Sequence, residues 1–153
     1  LKGFIVKDLF FMKAAYRQAV KAYNIDEVPI GAVLVNGQGE IIARAYNQME
    51  KKQSQLAHAE MLVLAKSAKK MKNWRLSGTT LYVSVQPCLM CLGALYLSRV
   101  SRVVYGVPSP KFGFDMNNQC EVGIYKNLDT KVECLPYEKS KELLQIFFKK
   151  KRS

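Results

Sequence analysis

The sequence predicts an α/β protein with a central mixed five-stranded sheet flanked by helices, and three observations carry that expectation. Two apolar runs, Pro29 to Val35 and Ile41 to Tyr46, flank Asn36-Gly37-Gln38-Gly39, which reads as two strands joined by a tight turn. The alternating Leu81, Val83 and Val85 lead through Pro87 into Cys88-Leu89-Met90-Cys91 and on to Val103-Val104-Tyr105-Gly106-Val107. That order of strand, helix and strand predicts a right-handed parallel crossover. Amphipathic stretches near both ends of the chain then supply helices to cover the sheet.

Taken in order, the first helix is expected from Asp8, read as its N-cap, to about Tyr23. Leu9, Met12, Tyr16, Ala19 and Tyr23 recur at helical spacing, with Lys13, Arg17 and Lys21 on a solvated face. The hairpin follows, and Asn47 stands at the end of its second strand beside a polar loop from Gln48 to Gln55. A residue there is placed to face a cleft, although asparagine also serves loops for turn reasons alone. A second helix is expected over Leu56 to Met71, with Ala57, Met61, Leu64, Ala65 and Ala68 on one side and Lys66, Lys69 and Lys70 toward the other. Thr79 to Val85 is the third strand, the helix after it begins at the cysteines, and Val103 to Val107 is the fourth strand. Pro108 to Tyr125 reads as irregular with room for one short helix, Val132 to Leu135 as a last short strand, and Glu138 to about Phe148 as the closing helix. Its basic end, Lys149-Lys150-Lys151-Arg152, complements the helix dipole.

Composition narrows the partners. The chain has 153 residues and is 49% hydrophobic, enough for one core and too few for two, so a single domain over residues 1–153 is expected. Lys and Arg total 24 against 12 Asp and Glu, a formal charge of +12. Nucleic acid is the first partner that such an excess implies and an anionic membrane surface the second, with a merely soluble basic protein as the bland alternative. The cysteines at 88, 91, 120 and 134 are not the dense framework of a small secreted domain, so a reducing, cytoplasmic location is expected. No stretch reaches membrane-spanning length, since Lys7 and Asp8 interrupt the apolar Phe4-Ile5-Val6. Leu1 is not an initiator methionine, as expected of a trimmed amino terminus.

The chemistry centres on Cys88 and Cys91. A helix start lowers thiol pKa values and favours thiolate, the form that binds metal or attacks, so Cys-x-x-Cys at a strand-to-helix junction fits a metal site and a thiol-disulfide pair equally. His58, the chain's single histidine, and Glu60 open another helix. A redox pair has no use for that second helix start. Two thiolates and one imidazole suit zinc and leave its fourth position open, which points to catalysis. A closed structural site would need Cys120 or Cys134 as a fourth ligand. Two thiolates offset the charge of the ion and leave its bound water less acidic, so a nearby base is wanted, and Glu60 is placed for that work.

At this point the residues resemble the zinc-dependent nucleobase deaminases, in the motifs His58-Ala59-Glu60 and Pro87-Cys88-Leu89-Met90-Cys91. The closer resemblance is to the bacterial tRNA-specific adenosine deaminases. It extends over Glu27 to Val35, Asn73-Trp74-Arg75-Leu76, Thr80-Leu81-Tyr82-Val83, Ser98-Arg99-Val100, Arg102 to Gly106 and Phe147-Phe148, nearly the whole chain. It implies a three-layer α/β/α cytidine deaminase-like fold and a homodimer that converts the wobble adenosine of a tRNA anticodon loop, tRNA-Arg first among them, to inosine. It also implies one Zn2+ per chain on His58, Cys88 and Cys91, proton transfer by Glu60, and substrate contacts from Asn47, Lys111 and Phe148. Deamination of a free base such as guanine uses the same metal centre and is the alternative. Three departures mark this chain: Gln86 where the family usually has Glu, Ser54-Gln55-Leu56 where it usually has Asp-Pro-Thr, and Ser109 where Asp is frequent. Their weight falls on substrate fit rather than on metal binding.

Overall fold

The computed structural model describes residues 2–115 and 129–153. Its elements are α1 (Lys2–Asn24), β1 (Gly31–Val35), β2 (Ile41–Tyr46), α2 (Met49–Lys52), α3 (Ala59–Met71), β3 (Thr80–Val83), α4 (Leu89–Leu97), β4 (Arg102–Tyr105), β5 (Lys131–Cys134) and α5 (Glu138–Arg152). The five strands form one sheet in the order β2-β1-β3-β4-β5. β1 pairs antiparallel with β2 and β3, whereas β3–β4 and β4–β5 are parallel. The mixed sheet expected from the hairpin and the crossover is therefore present.

Strand alternation assigns the two faces. Ala32, Leu34, Leu81, Val83 and Val103 point toward Val63 and Leu64 of α3 and Leu92 and Leu95 of α4. Their neighbours Val33, Val35, Tyr82 and Val104 point the other way, against Phe11, Met12, Ala14 and Ala15 of α1. α5 lies over α1, with the Phe147 ring 6.4 Å from that of Tyr23 and Lys151 Nζ 2.5 Å from Asp26 Oδ2. Three layers result. Gly31 marks a close approach between two of them, since a Cβ there would lie 2.2 Å from the Ala15 carbonyl oxygen and 2.3 Å from the Ala19 nitrogen.

Several boundaries differ from the sequence expectation for physical reasons. α1 begins at Lys2, so Asp8 is inside a helix and not at its cap. Its carboxylate is buried and takes a forked pair of bonds from Arg102, Nη1 to Oδ1 at 2.8 Å and Nη2 to Oδ2 at 3.0 Å, plus the Tyr82 hydroxyl at 2.6 Å. Arg102 also holds Glu133, tying β5 to the same point. α3 begins at Ala59 and buries Ala59, Glu60, Val63, Leu64 and Ser67, one position away from the stripe of Ala57, Met61, Leu64, Ala65 and Ala68. A carboxylate and a serine on the inner face hide that stripe from hydropathy. The loop after β2 contains the short α2, and α5 continues through the basic residues to Arg152. No helix forms over residues 108–115, while the remainder of the expected irregular stretch, with Cys120, lies outside the described residues.

Candidate active site

Two helix starts meet at one point. His58 is the N-cap residue of α3 and Cys88 that of α4, both with extended backbone. Serine or aspartate at such positions normally closes the helix end. Here the capping positions carry a ligand each instead, aimed at one another across the two helices. His58 Nδ1 lies 3.7 Å from Cys88 Sγ and 3.5 Å from Cys91 Sγ, and the three ligand atoms all fall within 4.8 Å of one another. Sulfur at about 2.3 Å and nitrogen at about 2.0 Å from a tetrahedral zinc stand about 3.5 Å apart, so the donor set fits that ion. Among the described residues the metal-ligating group has these three members, and Cys134 is exposed on β5, away from it. Both Cys88 and Cys91 are free thiols that face the imidazole, an arrangement a dithiol redox pair does not need.

Electrostatics follow the same geometry. The Cys91 bond, opposed by burial and helped by His58, brings the Cys88 thiol down to about 4. Cys91 moves the other way, raised by its bond with Cys88 and by burial. His58 is raised through its bond with Cys88. Burial also raises Glu60, which is 3% exposed, lies beside Cys91 and has no partner for Oε2 among the described residues. An unpaired buried carboxylate oxygen is costly and points to a functional role.

Asn47 belongs to the same cluster. Its Oδ1 accepts the Ala59 N–H at 3.1 Å and so closes the first turn of α3 from outside. Among the described residues its Nδ2 has no partner and remains a donor. Lys111 is exposed and stacks on Phe112 at 5.2 Å, in a loop whose Phe114 N–H bonds the Pro87 carbonyl at 3.1 Å. Phe148 is 44% exposed on α5 beside the buried Phe147. No hydrogen bond or ring contact among the described residues joins Lys111 or Phe148 to the four clustered side chains.

The departures and one overlooked residue also find places. Gln86 Oε1 accepts the Ser109 N–H at 3.0 Å, Ser54 Oγ accepts the Leu56 N–H at 3.2 Å, and the Gln55 amide lies 3.4 Å from His58 Nε2. Sequence reasoning passed over Glu27, buried at 2% exposure, whose Oε1 accepts the Lys51 N–H at 2.8 Å and anchors α2 between Asn47 and His58. A charged residue in a polar turn gives no hydropathy signal of that kind.

Residues 5–107 match the cytidine and deoxycytidylate deaminase zinc-binding region, and the chain belongs to that deaminase family. Within it, the chain is similar to curated tRNA-specific adenosine deaminases. The Bacillus subtilis protein is 53% identical over 109 residues, 71% of this chain and 67% of that one. The Aquifex aeolicus protein is 38% identical over 151 residues, 94% and 95% of the two chains. A solved structure from a study of A-to-I editing by tRNA deaminases at the wobble position is 34% identical with a TM-score of 0.72, covering 83% of this chain and 98% of the other. A guanine deaminase from Nitrosomonas europaea superposes with a TM-score of 0.77 at 25% identity, over 90% of this chain and 82% of its own.

Proposed function

We propose that this chain, acting as one domain, hydrolytically deaminates adenosine to inosine at the wobble position of a tRNA anticodon loop. The observation that carries the proposal is the convergence of His58, Cys88 and Cys91 beside buried Glu60, whose Oε2 has no partner among the described residues. The similarity to tRNA-specific adenosine deaminases over almost the full length supports the substrate class. His58, Cys88 and Cys91 would hold one zinc ion, whose chemistry when bound is to polarise a water for attack on the purine carbon. Glu60, whose carboxyl is raised by burial, takes the proton that the water gives up and passes it to the purine ring nitrogen. In the second half it carries the remaining hydroxyl proton to the amino group, so that the C–O bond is kept, the C–N bond breaks and ammonia leaves.

The Asn47 amide donates to the base, and exposed Lys111 and Phe148 contact the surrounding loop nucleotides. An unpaired loop base costs less to extrude than one in a duplex, and a net charge of +12 holds the phosphates. The proposal includes a homodimer, tRNA-Arg as a substrate and action in the cytoplasm. Among the described residues no helix is long and apolar enough to cross a membrane. Incubation of the zinc-loaded protein with tRNA followed by nucleoside analysis tests the proposal, which predicts inosine. The likeness to a guanine deaminase favours a second reading, turnover of a free purine base. A neutral base needs no cationic field, so deamination of guanine together with salt-insensitive tRNA binding would decide for it.

A further inference from the structure

We propose that Gln86 is a positioning residue that locks residues 107–114, and with them Lys111, onto the helix start that carries Cys88. The inference rests on reading this loop as part of the substrate site. Gln86 follows β3 and precedes Pro87-Cys88, and both its backbone and its side chain hold the loop. Its N–H donates to the Val107 carbonyl at 2.8 Å, and its Oε1 accepts the Ser109 N–H at 3.0 Å. The Ser109 carbonyl accepts the Gly113 N–H at 2.8 Å, and the Phe114 N–H returns to the Pro87 carbonyl at 3.1 Å. The loop thus leaves from and comes back to one dipeptide.

Packing reinforces the clasp. A Cβ on Gly113 would lie 2.2 Å from Gln86 Oε1 and 2.5 Å from the Ser109 carbonyl oxygen, so glycine alone lets the loop close down on the glutamine. Phe114 then packs against the core that includes Leu92 and Leu95 of α4. Between these anchors Pro110, Lys111 and Phe112 are exposed, a short tip whose position is set by its two ends. The contact uses Gln86 as an acceptor, a role glutamate also fills. The amide therefore holds the loop in the geometry that a glutamate would give.

Amide hydrogen exchange on the zinc-loaded protein, read at Ser109, tests the lock without reference to turnover. Gln86→Ala is expected to speed exchange there about tenfold, the equivalent of one lost hydrogen bond. It should raise KM for tRNA by a similar factor while kcat and zinc content hold, and Gln86→Glu should restore both readouts. Gly113→Ala, with Gln86 intact, should give the same exchange phenotype by displacing the side chain. Unchanged Ser109 protection in Gln86→Ala, loss of zinc, or a Gln86→Glu variant as impaired as Gln86→Ala would overturn the inference. A wild-type protein inactive on tRNA that still shows the exchange pattern would refute the functional reading and leave the lock standing.

Discussion

Asn47 Oδ1 accepts the Ala59 N–H at 3.1 Å, so the residue that ends β2 also closes the helix that carries His58 and Glu60. The proposed substrate contact would use the other end of the same amide, so substitutions at Asn47 can separate the two roles. Asn47→Asp keeps the acceptor and loses the donor, whereas Asn47→Ala loses both. Thermal unfolding should show Asn47→Ala destabilised by about 1 kcal/mol, the ordinary value of a helix cap, and Asn47→Asp close to wild type. Both should raise KM for tRNA; a normal KM in Asn47→Asp would remove the residue from the substrate site.

Glu60 is buried with Oε2 unpartnered among the described residues, an arrangement that costs stability. Glu60→Gln should keep zinc, lower kcat by at least about a hundredfold, and leave the melting temperature equal to or above that of wild type. A variant that retained turnover would assign the proton transfers elsewhere.

Removing a ligand separates an open three-residue site from a closed one. His58→Ala, Cys88→Ser and Cys91→Ser should each lose zinc, as read by metal analysis of the purified variant. Cys134→Ser and Cys120→Ser should each retain it, because Cys134 is exposed on β5 and the clustered donors number three among the described residues. Loss of zinc from either of the last two would identify a fourth protein ligand.

Much of this site is legible in the sequence because its chemistry depends on rare residues at short spacings. A single histidine two positions from a glutamate, and two cysteines three apart at a strand end, mark two helix starts, and the parallel crossover brings them together. The strands themselves are legible as short apolar runs, although both faces are covered, Leu81 and Val83 by α3 and α4 and Tyr82 by α1. Asp8 is not legible, because a carboxylate before an apolar run has the pattern of an N-cap whether or not an arginine 94 positions away claims it. The buried face of α3 is hidden by Glu60 and Ser67, polar residues where a core-facing stripe is sought. The jobs of Glu27 and Gln86 are hydrogen bonds to backbone N–H groups distant in sequence, which no local pattern encodes.

The Asp8 pair sets an acid limit on stability. Burial raises the Asp8 carboxyl, but the Arg102 and Tyr82 bonds outweigh it and hold the group below its ordinary value. A carboxylate depressed on folding contributes stability that is complete above its unfolded pKa of about 4 and is lost as pH falls through the folded value. Asp8→Asn should therefore cost about 2 kcal/mol in urea unfolding at pH 7, with the gap to wild type closing below about pH 4. An equal gap at pH 7 and pH 3 would show that the carboxylate charge is irrelevant.

The most direct measurement is nucleoside analysis of tRNA-Arg after incubation with zinc-loaded wild type and with Glu60→Gln in parallel. Inosine at the wobble position from wild type, with none above background from the variant at equal zinc content, is the predicted result. No inosine from the zinc-loaded wild type, or equal inosine from both proteins, would contradict the assignment of His58, Cys88, Cys91 and Glu60 as a tRNA adenosine deaminase site.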